Sequence, residues 1–93
     1  MLKEQEIYEF SNPEEVRYKA QQYYLNPIHI SSRKDKKYMV FDGHKMQHFG
    51  QWSYIDYTKS HDEDKRNKFR KRNDRWKYRP IYSPAWLSYN LLW

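Results

Sequence analysis

Nine cations fall within fifteen residues: Lys65, Arg66, Lys68, Arg70, Lys71, Arg72, Arg75, Lys77 and Arg79, with Asp74 the single acid among them. Phe69, Trp76 and Tyr78 are interleaved with these cations. Lysines and arginines neutralise phosphates, and aromatic faces stack on bases or guanidinium planes, so the mixture suits an anionic partner such as DNA or RNA. Two other readings stay open, a basic face that docks on another protein and a solvated helix whose arginine stems cover aromatic rings.

The other reactive side chains point away from catalysis. His44 and His48 have the spacing of a helical zinc pair, with His29 and His61 as conceivable further ligands. If His44 and His48 belong to a strand, four residues span about 13 Å, beyond the reach of one ion, so no metal site is expected. His44 is then expected on the surface beside a turn, and His48 half-buried across the strands. Asp56, Asp62, Glu63 and Asp64 are the only dense acids. Helix capping explains three of them without a pocket that would tune a catalytic pair. Two glycines do not make a phosphate loop, and no serine or cysteine lies in a nucleophile context. The expectation is a non-enzymatic protein with no catalytic residues, no cofactor and no small-molecule substrate.

The elements that must position the basic run are legible as punctuation. Asn12-Pro13-Glu14-Glu15 starts a helix, with Asn12 as cap and Pro13 at the first position. That helix should run to Tyr24 or Leu25, with Val16 and Ala20 inward, and stop at Asn26-Pro27. Residues 31–37 read as a charged linker. Tyr38–Phe41 and His44–Phe49 flank Asp42-Gly43, which predicts a hairpin closed by a tight type I′ turn. Gln51–Tyr57 is an aromatic-rich connector or a short third extended segment. Ser60 as cap and Glu63 three residues on open a second helix with Phe69, Arg72 or Asn73, and Trp76 on its inner face. Asp62–Arg66 and Asp64–Lys68 are pairs one turn apart.

The last twelve residues, Tyr82 to Trp93, are the most apolar stretch of a polar chain. Ser83 and Pro84 open a short helix there, with Trp86, Tyr89 and Trp93 on one stripe and Leu87 and Leu91 on another. Two tryptophans and three leucines must pack on something: the domain's own core, or a partner that receives Trp86 and Trp93.

At 93 residues this is one domain that buries roughly 60–65% of its unfolded surface, so its core is thin. Charged residues make up 32% of the chain, but 19% are aromatic, enough large side chains to hold a small fold. The fold class is α+β: N-terminal helix, Asp-Gly hairpin, basic helix and short apolar C-terminal helix. Residues 1–36 hold the first helix and connector, and residues 37–93 hold the rest. A net charge of +6 favours acidic partners, and the absence of cysteine suits a reducing compartment. The opening residues carry acids where a secretory leader needs an apolar run, and no segment approaches membrane-spanning length, so a protein neither secreted nor membrane-inserted is expected.

The pieces His48-Phe49-Gly50, Asp56-Tyr57-Thr58, His61-Asp62-Glu63, Phe69–Asn73 and Tyr82–Trp93, in this order and spacing, resemble a family of small uncharacterised proteins from large double-stranded DNA viruses. The resemblance spans roughly residues 37 to 93 and brings no activity or binding residue with it. It implies a setting in a virion or in infected host-cell cytoplasm, and a C-terminal segment belonging to the fold. The combined expectation is a minor virion (capsid-associated) component that adheres to capsid or other virion proteins, or joins shell to genome. The alternative is an accessory protein that contacts DNA or RNA through Lys65–Arg79, with Phe69, Trp76, Tyr78, Trp86 and Trp93 as stacking or docking residues.

Overall fold

Three antiparallel strands carry one face of the core, and five short helices close over it. The computed structural model describes residues 2–93. The order is α1 (Lys3–Glu6), a 3-10 turn at Ile7–Glu9, α2 (Pro13–Gln22), β1 (Ile28–Ile30), β2 (Lys36–Phe41), β3 (Met46–Gln51), α3 (Tyr57–Ser60), α4 (Glu63–Arg72), a 3-10 turn at Asp74–Tyr78, and α5 (Pro84–Leu87), which continues as a π-helical turn at Ser88–Leu92. The sheet order is β1-β2-β3. The α+β class and the single domain agree with the sequence reading.

Asn12 caps α2 by accepting from the Glu15 N–H, with Pro13 at the first position. The helix ends at Gln22, earlier than the predicted Tyr24 or Leu25. Tyr24 takes a left-handed φ of 56° and the Leu25 N–H reaches back to the Ala20 carbonyl at 3.0 Å, a C-cap that closes the helix before Asn26-Pro27.

The hairpin differs from expectation in register. Phe41 pairs with Met46 and Tyr38 with Phe49, so Gly43 and His44, not Asp42 and Gly43, are the central turn residues. The Asp42 carboxylate accepts from the N–H groups of both His44 and Lys45, and only Gly43 carries a positive φ, of 103°. Partners therefore move by two residues. Because side chains alternate with period two, each still faces the predicted side, and Tyr38, Val40 and Phe49 all point into the core.

The third strand is β1, which pairs with β2 through Ile28–Val40 and Ile30–Tyr38. The expected extended segment at Gln51–Tyr57 is instead a loop leading into α3. Nor is 31–37 a free linker: Lys36 and Lys37 belong to β2, and Ser31 and Lys37 are buried. At α4 the cap is Asp62, accepting from the Lys65 N–H, not Ser60. Ser60 ends α3, whose own cap is Asp56, and His61 turns the chain between the two helices with a φ of 51°.

The apolar tail packs inside its own domain. Ser83 caps α5 through the Trp86 N–H as predicted, and Trp86, Leu87, Tyr89, Leu91 and Leu92 are all buried. Both predicted stripes are covered because α5 lies against β3 while Ser88–Leu92 reaches both α2 and β3. Leu87, Leu91 and Leu92 join Ile7, Val16, Ala20, Ile28, Tyr38, Val40 and Phe49 in one core. Gly50 permits this closure: a Cβ there would lie 2.9 Å from Leu92 Cδ1 and 3.2 Å from Lys37 Cβ.

A buried polar junction pins the loop after β3. Lys37 Nζ donates to Asp56 Oδ2 at 3.0 Å, and both side chains are 1% exposed. Lys37 also donates to the Tyr54 carbonyl, and Asp56 Oδ1 accepts from the N–H and hydroxyl of Thr58. The Thr58 hydroxyl accepts from the Asn12 N–H and meets Ser11 Oγ, to which the Tyr38 hydroxyl donates at 2.6 Å. The entry to α2, the middle of the sheet and α3 are thus joined through one chain of hydrogen bonds. Burial pulls the Lys37 ammonium below its ordinary range, and the Asp56 charge opposes that shift.

Candidate nucleic-acid interface

Six of the nine predicted cations lie on α4, which ends at Arg72 short of the predicted Trp76, and Arg75, Lys77 and Arg79 lie in and after the 3-10 turn that follows. Arg66 and Arg70, four residues apart on the inner side of α4, are engaged within the domain. Their Nε atoms donate to the main-chain oxygen of Trp93 at 2.8 and 3.0 Å. Their guanidinium groups lie over the rings of Tyr57 and Tyr89. These two arginines hold the tail. Lys77 is paired with Asp74 at 2.8 Å, which raises its pKa, and lies over Tyr78.

The remaining six, Lys65, Lys68, Lys71, Arg72, Arg75 and Arg79, make no ion pair among the described residues. Lys65, Lys68 and Arg72, at positions i, i+3 and i+7 of α4, line one open groove of about 860 Å³. Its other walls are β2 with Lys36, the loop after β3 with Ser53 and Tyr54, and the tail with Ser88 and Trp93. Lys37 contributes its stem while its ammonium points inward to Asp56. No aspartate or glutamate among the described residues lines the groove. Lys71, Arg75 and Arg79 are exposed outside it.

Aromatic rings make the wall beside α4. Trp93 stacks on Phe69 with centroids 4.4 Å apart and planes 9° from parallel, and Trp76 meets Phe69 edge-on at 5.7 Å. Tyr54 is 68% exposed. Of the predicted aromatic residues, Phe69, Trp76 and Trp93 come together here. Tyr78 is exposed outside the groove. Trp86 is buried edge-on against Tyr23 in the core, so it is not a docking residue.

Lys36 and Tyr54 are the site residues that the sequence reading missed. Lys36 falls in the stretch that composition reads as a linker, and Tyr54 in the aromatic-rich connector. The available signal was the adjacency of Lys36-Lys37 to the apolar Tyr38–Phe41 run, which extends the strand backwards.

The histidines are dispersed. His44 is exposed within the turn itself, not beside it, while His48 lies opposite Met39 and meets Ser31 Oγ at 2.7 Å. His61 pairs with Glu15 at 2.8 Å. No group of three or more potential metal ligands occurs among the described residues. None of the described helices is long and apolar enough to cross a membrane.

Sheet, α4 and groove together define a small α+β domain with a cationic, acid-free, aromatic-walled cleft. The chain belongs to a family of unknown function (DUF5754), whose model matches residues 27–73. The match covers β1 through α4, beginning earlier and ending earlier than the resemblance over 37–93, and it leaves out the C-terminal motif. Neither curated proteins nor solved structures yield a match.

Proposed function

We propose that this protein is a non-enzymatic nucleic-acid-binding accessory protein whose contact surface is the groove beside α4. The observation that carries the reading is the convergence of Lys36, Lys65, Lys68 and Arg72 on one cleft with no acid in its lining. Four like charges facing one another repel unless a polyanion joins them, and phosphates meet that requirement. Three of the four dense acids are occupied in ways that need no catalysis. Asp56 is in the buried pair, Asp62 caps α4, and Glu63 meets Arg66 and the Tyr57 hydroxyl.

The test is charge reversal at Lys65→Glu, Lys68→Glu and Arg72→Glu together. The triple variant should lose binding to a labelled oligonucleotide at low salt while keeping the wild-type melting temperature. Wild-type protein that binds no oligonucleotide, or a triple variant that binds unchanged, refutes the reading.

A second reading, the minor virion component, draws support from tyrosines outside the groove. Tyr18 is 63% and Tyr24 94% exposed, a large aromatic area facing solvent, and tyrosine is favoured at protein interfaces. The viral setting rests on the sequence resemblance. Stoichiometric presence of the chain in purified particles tests it, and absence from them rejects it.

A further inference from the structure

We propose that the groove takes a single strand with unpaired bases, not a duplex; this rests on the nucleic-acid reading above and narrows it. Lys65, Lys68 and Arg72 form one row along about 10 Å of α4, and Lys36 approaches from the sheet side. A row on one wall tracks one phosphate backbone. The bases then lie on the rest of the lining, which is mostly aromatic and apolar: the contiguous Trp93, Phe69 and Trp76 rings, with exposed Tyr54 from the loop after β3, and only Gln51, Ser53, Ser88 and the Lys37 stem as polar neighbours.

A duplex keeps its base faces stacked inside and offers a protein only phosphates and groove edges, so it would leave this wall uncovered and wet. An unpaired strand offers both surfaces at once, a phosphate row for the lysines and base faces for the rings. The open groove's volume of about 860 Å³ lies in the usual range of ligand clefts, enough for a few nucleotides of one strand.

The experiment uses the full chain and three fluorescently labelled probes of about twelve nucleotides: oligothymidine, the same strand annealed to oligoadenine, and an abasic strand of equal charge. Oligothymidine should bind more tightly than the abasic strand by roughly 5- to 150-fold, the range of one well-stacked base, and more tightly than the duplex. Tyr54→Ala should lower oligothymidine affinity toward that of the abasic strand and leave duplex binding unchanged. Trp76→Leu should do the same. Tyr54 is the cleaner position, because its ring is mostly in solvent and its main-chain carbonyl, which holds Lys37, is retained. Duplex or abasic binding equal to or tighter than oligothymidine overturns the single-strand inference while leaving a nucleic-acid function standing. Failure of all three probes to bind overturns both.

Discussion

Replacing Asp56 with alanine leaves the Lys37 ammonium without its counter-charge at a position that is 1% exposed. Breaking a buried ion pair from one side costs about 3–5 kcal/mol, because the remaining charge is neither solvated nor paired. The same change removes the α3 cap to the Thr58 N–H, worth about 1 kcal/mol. A domain of 93 residues has a total stability of about 5–14 kcal/mol at the usual ~0.05–0.15 per residue. Asp56→Ala, at about 4–6 kcal/mol in all, therefore removes more than a quarter of it. Lys37→Met alone should also destabilise, since Asp56 then keeps its charge with only Thr58 to bind. Lys37→Met combined with Asp56→Asn removes both charges and keeps an oxygen for the cap, so the double variant should be more stable than either Lys37→Met or Asp56→Ala. The assay is urea unfolding of the wild type, the single variants and the double variant, followed by circular dichroism. An Asp56→Ala protein within about 0.5 kcal/mol of wild type, or a double variant less stable than both singles, would refute the reasoning. The junction also holds the Tyr54 carbonyl, so Asp56→Ala should loosen one wall of the groove and weaken oligonucleotide binding under conditions where the fold persists.

Other expectations follow from the core and from titration. Leu91→Ala should cost about 2–5 kcal/mol by thermal or urea unfolding, and a chain ending at Ser83 should fail to melt cooperatively, because Leu87, Leu91 and Leu92 are fully enclosed. Gly50→Ala should lower the melting temperature, as its φ of +85° and the 2.9 Å approach to Leu92 both oppose a side chain. Hydrogen bonds from the Lys45 and His44 N–H groups and from Gln47 hold the Asp42 carboxyl down to about 2. A depressed carboxylate stabilises above its ordinary pKa and loses that contribution as pH falls toward 2, so Asp42→Asn should flatten the acid limb of a stability profile. Burial pushes the Tyr38 phenol well above its ordinary 10.0, so stability should fall as pH rises past 10, and Tyr38→Phe should weaken that alkaline loss in the same profile.

Local chemistry was legible at two of the three predicted helix starts, the exception being Ser60, where Asp62 caps instead. Asn12-Pro13 and Ser83-Pro84 start helices as read, and the faces of the hairpin are right even though its register moves by two. What was illegible depended on distant partners. The Ile28-His29-Ile30 strand is three residues long, too short for periodicity, and exists because β2 pairs with it. The Ser31–Lys37 run looks like a linker by composition. Lys37 is nevertheless buried, because Asp56, nineteen residues on, supplies a charge that no local window contains. The basic run was recognised as a whole but not divided. Arg66 and Arg70 turn inward because Tyr57, Tyr89 and the Trp93 main chain wait on that side, and only folding places those groups there. For the same reason Trp86 and Trp93, adjacent on a helical wheel, separate into a core residue and a groove residue.

The most direct measurement of the central claim is the salt dependence of binding to a labelled single strand. Four groove cations, Lys36, Lys65, Lys68 and Arg72, each neutralising one phosphate at about 0.7 per contact, predict a log–log slope of about −2.8 against monovalent salt. Lys68→Glu should make that slope shallower by about 0.7 or more. A slope of that size, reduced by the substitution, is the predicted result. A slope near zero, or one that Lys68→Glu leaves unchanged, would contradict the assignment of the groove as a phosphate-binding site.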